Sequence, residues 1–166
     1  MSLRDLMSAP YAGPTVAVIG VLVSMAAYFL GRWNNTRTLS AKYRDRLYEL
    51  NKLTVQSGDV ALAFFDPSNH TGHYFDQLDN IQSAVPAGGK HPAELVLRVR
   101  AYAHYRLNFY EEIFFATRGW TFRVFEDTNT WRSFVKTEVG SQPLVRELLK
   151  RDKNKYGAAF VAFTGI

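Results

Sequence analysis

Residues 11–30 read YAGPTVAVIGVLVSMAAYFL, and no charged residue interrupts the chain between Asp5 and Arg32. Twenty apolar or small residues at 1.5 Å rise span about 30 Å, the thickness of a bilayer's hydrocarbon core. Within lipid every backbone N–H and C=O must be satisfied inside the segment, which a helix does. Pro14 suits a first turn, where its missing N–H has no partner to lose. Tyr11, Tyr28 and Trp33 sit where aromatic belts form, with Arg32 just outside. A cleaved signal peptide would have a shorter apolar core and small residues at its end. Here the run ends in Phe29-Leu30-Gly31-Arg32-Trp33, so it reads as a retained transmembrane helix over 11–31.

Orientation follows from the flanking charges. Only Arg4 precedes the run, offset by Asp5, whereas Arg32, Arg37, Lys42, Arg44 and Arg46 follow it. The positive-inside rule places the short tail, residues 1–10, outside and the C-terminal part in the cytoplasm. Those five basic residues are also the ones expected to attract anionic lipid headgroups. The net charge of +5 is uneven: residues 32–58 carry +4, residues 59–97 carry −4 and residues 98–166 carry +5. No basic stripe with interleaved aromatics and no nucleic-acid-binding motif accompanies the charge, so nucleic acid is not an expected partner. Cysteine is absent, which removes disulfides, thiolate metal sites and a thiol nucleophile.

The remaining length suits one small all-α domain of four or five helices. A basic juxtamembrane helix over 32–57 carries Leu39, Tyr43, Leu47, Leu50 and Val55 at near-helical spacing. No proline separates it from the anchor, which leaves a break at Gly31 or Asn34-Asn35 open. Ser57-Gly58-Asp59 is expected to end it, with Gly58 as C-cap and Asp59 as the next N-cap. The domain over 58–166 contains an irregular loop, 66–91, with a weak helix inside it over 73–83. The longest helix of the domain starts at Pro92 and stops at Gly119, with an apolar arc wide enough to lie at a bundle centre. Thr121–Asp127 reads as a loop with aromatic plugs, since a lone strand has no partner. Thr128 or Asn129 then caps a helix through Val139, and Ser141 caps another with Pro143 near its start. Tyr156, Phe160 and Phe163 share one face of a closing helix.

Few residues offer chemistry. His70 and His73 with Asp66, Asp76 and Asp79 have the residue types of a metal site, but at loose spacing in a flexible segment, so neither a metal nor another cofactor is expected. His104 reads as a hydrogen-bonded structural histidine. Asn108 and Glu112, one helical turn apart in an aromatic helix, read as a polar staple to Arg146 or Arg151, with a general base at Glu112 as the rival reading. Gly13, Ala17, Gly20, Ser24, Ala27 and Gly31 form a stripe of small residues on one face of the anchor, and Val18, Leu22, Met25 and Phe29 lie opposite. Between membrane helices close packing decides association, so the small face points to a second copy or another membrane protein.

The single N-terminal helix and basic juxtamembrane segment are followed by Leu107-Asn108-Phe109-Tyr110-Glu111-Glu112-Ile113 and Arg118-Gly119. Then come Trp131, Pro143-Leu144-Val145-Arg146 and a late Tyr156. Over most of residues 12–163 this resembles a broad group of uncharacterised bacterial membrane-anchored helical proteins, from which it departs in the long Asp66–His91 loop. The resemblance implies one anchor with a small all-α cytoplasmic domain, and no activity. The leading expectation is a non-enzymatic, membrane-tethered interaction or assembly module. The alternative is a membrane-associated enzyme using the Asp66–Asp79 loop or Glu112.

Overall fold

The computed structural model describes residues 12–65, 93–125 and 127–166, with side chains from Val16 onward and excepting those of Thr121 and Phe125. Among the described residues the fold is all-helical, with seven α-helices and no strand. The chain begins with α1, Ala12–Gln56, 45 residues without a break and roughly 68 Å long. Gly31 and Asn34-Asn35 do not interrupt it. An isolated glycine in a helix costs only about 1 kcal/mol relative to alanine, and neither a proline nor a π-bulge is there to kink it.

Along α1 the surroundings change abruptly. Every residue from Val16 to Asn35 is exposed, on all sides of the helix. From Thr36 a buried or partly buried seam begins: Thr36, Ser40, Tyr43, Leu47, Leu50 and Thr54, at intervals of four, three, four, three and four. This is the spacing that keeps one face of a helix against a partner. Thr36 and Thr54 enter an apolar interface because each hydroxyl donates to the carbonyl four residues earlier, Arg32 and Leu50, at 2.9 Å. Leu39 packs at the rim, but Val55 is fully outside the seam, 83% exposed.

The turn after α1 differs from the expected caps. Ser57 is the one non-helical residue, and α2, Gly58–Phe65, starts at Gly58 with Ala61 N–H donating to Ser57 O at 2.9 Å. Ser57 thus stands at the start of α2, in the place expected of Asp59. The central element is α3, Ala93–Arg118, which buries Val96, Val99, Ala103, Leu107, Phe109, Tyr110, Ile113 and Phe114. It packs against α2 and against the four helices that follow it. Against α1 it meets through long side chains rather than by close backbone approach: Tyr43 stacks edge-on to Phe109 and to Trp131, at 6.1 and 6.0 Å between ring centroids.

The segment expected as a loop is helical. After a bend at Gly119 the chain forms α4, Trp120–Phe125, which packs on α1 and buries Phe122. With no neighbouring strand to pair with, backbone groups are satisfied locally, and Arg123 N–H donates to Gly119 O at 3.2 Å. This helix brings the domain to six helices after α1 among the described residues, against the four or five expected.

Helix α5, Thr128–Ser141, is capped one residue earlier than expected, by Asp127, whose carboxylate accepts from Thr130 N–H at 3.0 Å. Only Gln142 separates it from α6, Pro143–Arg151, so Ser141 belongs to α5 rather than capping α6, and Pro143 takes the N-terminal position as expected. A 3-10 turn, Lys153–Lys155, leads to α7, Ala158–Thr164, which lays Phe160 and Phe163 on Phe114 as expected of a closing helix.

Candidate functional site

Asn108 and Glu112 line a cleft between α1 and α3, with Tyr105 and Phe109 from α3 and Arg46 and Leu50 from α1. The cleft exists because Tyr43 and Phe109 hold the two helices apart. Glu112 ion-pairs across it with Arg46, not with Arg146, which is exposed on α6, while Arg151 pairs with Glu147. The staple expected for Glu112 is therefore made, but to the juxtamembrane part of α1. Arg46 follows Tyr43 by three residues and so emerges beside the seam, where α3 presents its one half-exposed acidic face. Burial, with Glu112 as the next cause, pushes the Tyr43 phenol up to about 12, so it remains a neutral hydroxyl. The cleft encloses about 210 Å³, below the 300–1,000 Å³ usual for small-molecule sites.

A second polar cluster is far more enclosed. Arg106, 3% exposed, lies on the apolar face of α3. Its Nε donates to Tyr102 Oη at 2.9 Å, and its Nη1 to Tyr110 Oη at 3.0 Å and Glu138 Oε2 at 3.1 Å. Tyr110 and Gln142 also donate to Glu138, at 2.8 and 2.6 Å, and Tyr102 bonds with Thr54 at the end of α1. Phe64 of α2 lies 5.6 Å from the guanidinium carbon. One cation thus joins α1, α2, α3, α5 and the Gln142 junction that precedes α6. Desolvation alone would lower the Arg106 pKa, but the two tyrosine hydroxyls and Glu138 outweigh it and hold it above the ordinary arginine value. Burial likewise raises Tyr110. Neither Arg106 nor Tyr110 is shifted toward losing a proton, and the cluster reads as a structural clamp.

His104 has the structural role expected of it. Its Nδ1 is 2.9 Å from Tyr156 Oη, and its Nε2 is 3.2 Å from Asp152 Oδ2. Arg100 and Lys155 reach the same carboxylate at 3.7 and 3.0 Å. A tyrosine–histidine–carboxylate series invites comparison with a nucleophile and its base, but burial, then Asp152 and Glu111, push Tyr156 up to about 12. A nucleophile needs the opposite shift. The neighbouring Glu111 accepts from Gly157 N–H at 2.6 Å, and a Cβ on Gly157 would come within 2.7 Å of the Phe115 ring, so close approach explains that glycine.

The candidate metal residues His70, His73, Asp66, Asp76 and Asp79 lie outside the described residues, as does the segment 73–83. Among the described residues no group of three or more metal-ligating side chains occurs. Ala17, Gly20, Ser24, Ala27 and Gly31 do share an exposed face of α1. Gly13, the first of the stripe, falls in the opening turn of the same helix. Phe29, on the opposite face, remains exposed and stacks edge-on to Trp120 at 6.3 Å. One helix near the N-terminus is long and apolar enough to cross a membrane. No family model, curated protein or solved structure matches this chain.

Proposed function

We propose that the protein is a single-pass, membrane-tethered interaction or assembly module of the broad membrane-anchored helical group, without enzymatic activity. The N-terminal half of α1 crosses the inner membrane, the tail lies outside and the helical domain lies in the cytoplasm. The observation that carries this reading is the exposure of Val16–Asn35 around the whole helix, in a stretch that is uncharged and, Ser24 and the Tyr28 hydroxyl apart, apolar down to Leu30. In water such a surface would be a severe liability, and in lipid it is the ordinary state.

The anionic headgroup contacts narrow to fewer residues than the charge pattern alone suggests. Because α1 runs unbroken, Lys42 lies about 15 Å and Arg46 about 21 Å beyond Arg32 along an upright helix. The Debye length is only about 8 Å at physiological salt, and Arg46 is held by Glu112. Of the five basic residues that follow the run, Arg32 and Arg37, each lying over an aromatic ring at Tyr28 and Trp33, are the ones within reach of a lipid surface.

The partner is a second copy or another membrane protein, met through Gly13, Ala17, Gly20, Ser24, Ala27 and Gly31. This face lies about 140° around the helix from the seam that holds the domain, so the domain leaves it open. A Cβ at Gly20 or Gly31 would meet no atom within 4 Å, hence packing within the chain does not require glycine at either position. Close approach to another helix does.

Two experiments test the reading. A reporter active only outside the cytoplasm, fused after Ile166, should be silent, and activity would overturn the orientation. In a membrane dimerisation reporter carrying residues 10–33, Gly20→Ile and Ser24→Ile should abolish association while Leu22→Ile should not. No signal from the unmodified segment would exclude self-association and leave the hetero-partner, to be sought by crosslinking from position 20.

A further inference from the structure

Helix α4 stands at the end of the domain nearest the apolar run. Contacts along α1 and α3 proceed in opposite directions: Thr54 meets Tyr102, Tyr43 meets Phe109, and then Phe29 meets Trp120. The chain leaving α3 therefore travels toward the N-terminal half of α1. Trp120 comes level with Phe29, three residues before Arg32, or about 4.5 Å along the axis. Whatever surface the end of the apolar run meets, Trp120 meets it as well.

The exposed side of α4 suits that position. Trp120 and Val124, one turn apart, are 50% and 63% exposed, while Phe122 between them is buried. Tyr28, Phe29 and Trp33 continue the same aromatic patch on α1, each at least 40% exposed. Arg118 and Arg123 are exposed beside Trp120 and Val124, and Arg32 and Arg37 stand at the same end of the molecule. Asp127, which lines a cleft with Arg123, is occupied in capping α5. Apolar and aromatic groups facing outward among arginines are the composition of a helix that lies in the headgroup layer, and tryptophan favours that layer because its ring is apolar and its N–H is not.

We propose that Trp120 and Val124 insert into the headgroup–acyl boundary of the same phospholipid bilayer that α1 crosses, so that α4 is a second, monotopic contact with the membrane. Arg118 and Arg123 bind lipid phosphates beside it. This rests on the assignment of α1 as a membrane span, and the test separates the two.

The chain contains no cysteine, so Leu22→Cys, Val124→Cys and Tyr48→Cys each give a single labelling position in the full chain. Tyr48 is an exposed site about 29 Å further along α1 than Phe29. Each variant is labelled with an environment-sensitive fluorophore and reconstituted in phosphatidylcholine–phosphatidylglycerol vesicles. Quenching by brominated acyl chains is compared with quenching by iodide. The label at Val124 should be quenched by brominated lipid at least about half as strongly as that at Leu22, with that at Tyr48 quenched only by iodide. If Val124 behaves as Tyr48 does while Leu22 remains lipid-quenched, α4 stands clear of the membrane and the proposal falls, while the span survives. If Leu22 is also quenched only by iodide, both fall.

Discussion

The two halves of α1 share one backbone and one hydrogen-bond ladder but differ in what their side chains meet. From Val16 to Asn35 the described residues leave every side of the helix exposed, with Trp120 touching Phe29. From Thr36 to Thr54 one face is sealed by the domain and the other carries Lys42, Arg44, Asp45 and Glu49. In the proposed membrane setting the first half finds its apolar partner in the bilayer, and the second finds it inside the chain. Helicity itself does not distinguish them. What distinguishes them is whether apolar residues occupy the whole circumference or a single seam.

Paired substitutions would break this contrast. Leu50, 1% exposed, belongs to the sealed half and Leu22 to the open half. Leu50→Asp buries a charge in the core and should abolish the cooperative melt of the domain, a loss above about 4 kcal/mol, while membrane insertion persists. Leu22→Asp should do the converse, costing about 3 kcal/mol of insertion free energy with the melt of the domain unmoved. Near-UV circular dichroism and vesicle flotation read the two effects. Equal effects of both variants on both readings would end the division of α1 into two halves.

Arg106 sharpens the contrast from within the domain, since its cluster ties down Thr54 at the end of the sealed half. Arg106→Ala leaves Glu138 and two tyrosine hydroxyls without their cation and should cost roughly 2–4 kcal/mol. Arg106→Met, which fills the space but removes the charge, should also destabilise. Thermal unfolding that matches the unsubstituted chain in both would show the cluster to be incidental.

The next effect concerns pH. Desolvation lowers the His104 pKa, opposed by Asp152, with Arg100 and Lys155 lowering it further. Tyr156 on the other ring nitrogen is neutral across this range. A base whose folded pKa lies below its unfolded value of about 6.5 makes the unfolded state bind more protons. Its contribution is complete above that value and is lost as pH falls from there through the folded pKa. The melting temperature should therefore decline on acidification below about pH 6.5, and His104→Gln should flatten that part of the profile. An unchanged slope in the variant would assign the decline to other groups.

The smallest effect belongs to Glu112. Both partners of the Arg46–Glu112 pair are about 40% exposed, and exposed ion pairs contribute about 0–1 kcal/mol. Glu112→Gln should thus shift thermal stability by less than about 1 kcal/mol, and Glu112→Ala little more. A loss as large as that of Arg106→Ala would show that the cleft, rather than the buried cluster, joins α1 to the domain.

How much of this was legible in the sequence depends on what kind of signal each element leaves. The apolar run is long and the arc of α3 is periodic over many residues, and both are helical as expected. Half of the seam on α1 was visible, as Tyr43, Leu47 and Leu50 with Leu39 at its rim, but Thr36, Ser40 and Thr54 were not, because a small hydroxyl residue is buried without looking apolar, as where Thr36 and Thr54 bond to their own helix. Val55 misled for the opposite reason, since an apolar residue at the end of a helix need not be covered. Asn108 and Glu112 were found, but their cation was not, because sequence spacing cannot say which distant arginine lies across a cleft. The strongest cluster went unread although it left a mark: Arg106 falls in register with Val99, Ala103, Tyr110 and Ile113 on the buried stripe of α3. A charge on an otherwise apolar stripe implies a buried counter-charge.

The unbroken α1 has a mechanical consequence. A flexible tether fixes only how far its cargo can wander, whereas a helix with no joint fixes height and azimuth together. In the proposed membrane setting, a rotation of the span about its axis turns the domain through the same angle, because the domain grips the same rod at Tyr43, Leu47 and Leu50. A tilt of the span swings Leu50, about 30 Å beyond Phe29, through an arc scaled by that lever. Two such chains joined at their small faces would hold their domains at one level and at one mutual bearing. A partner in the same membrane would then meet a pair of surfaces already aligned, at an effective concentration set by geometry rather than by diffusion.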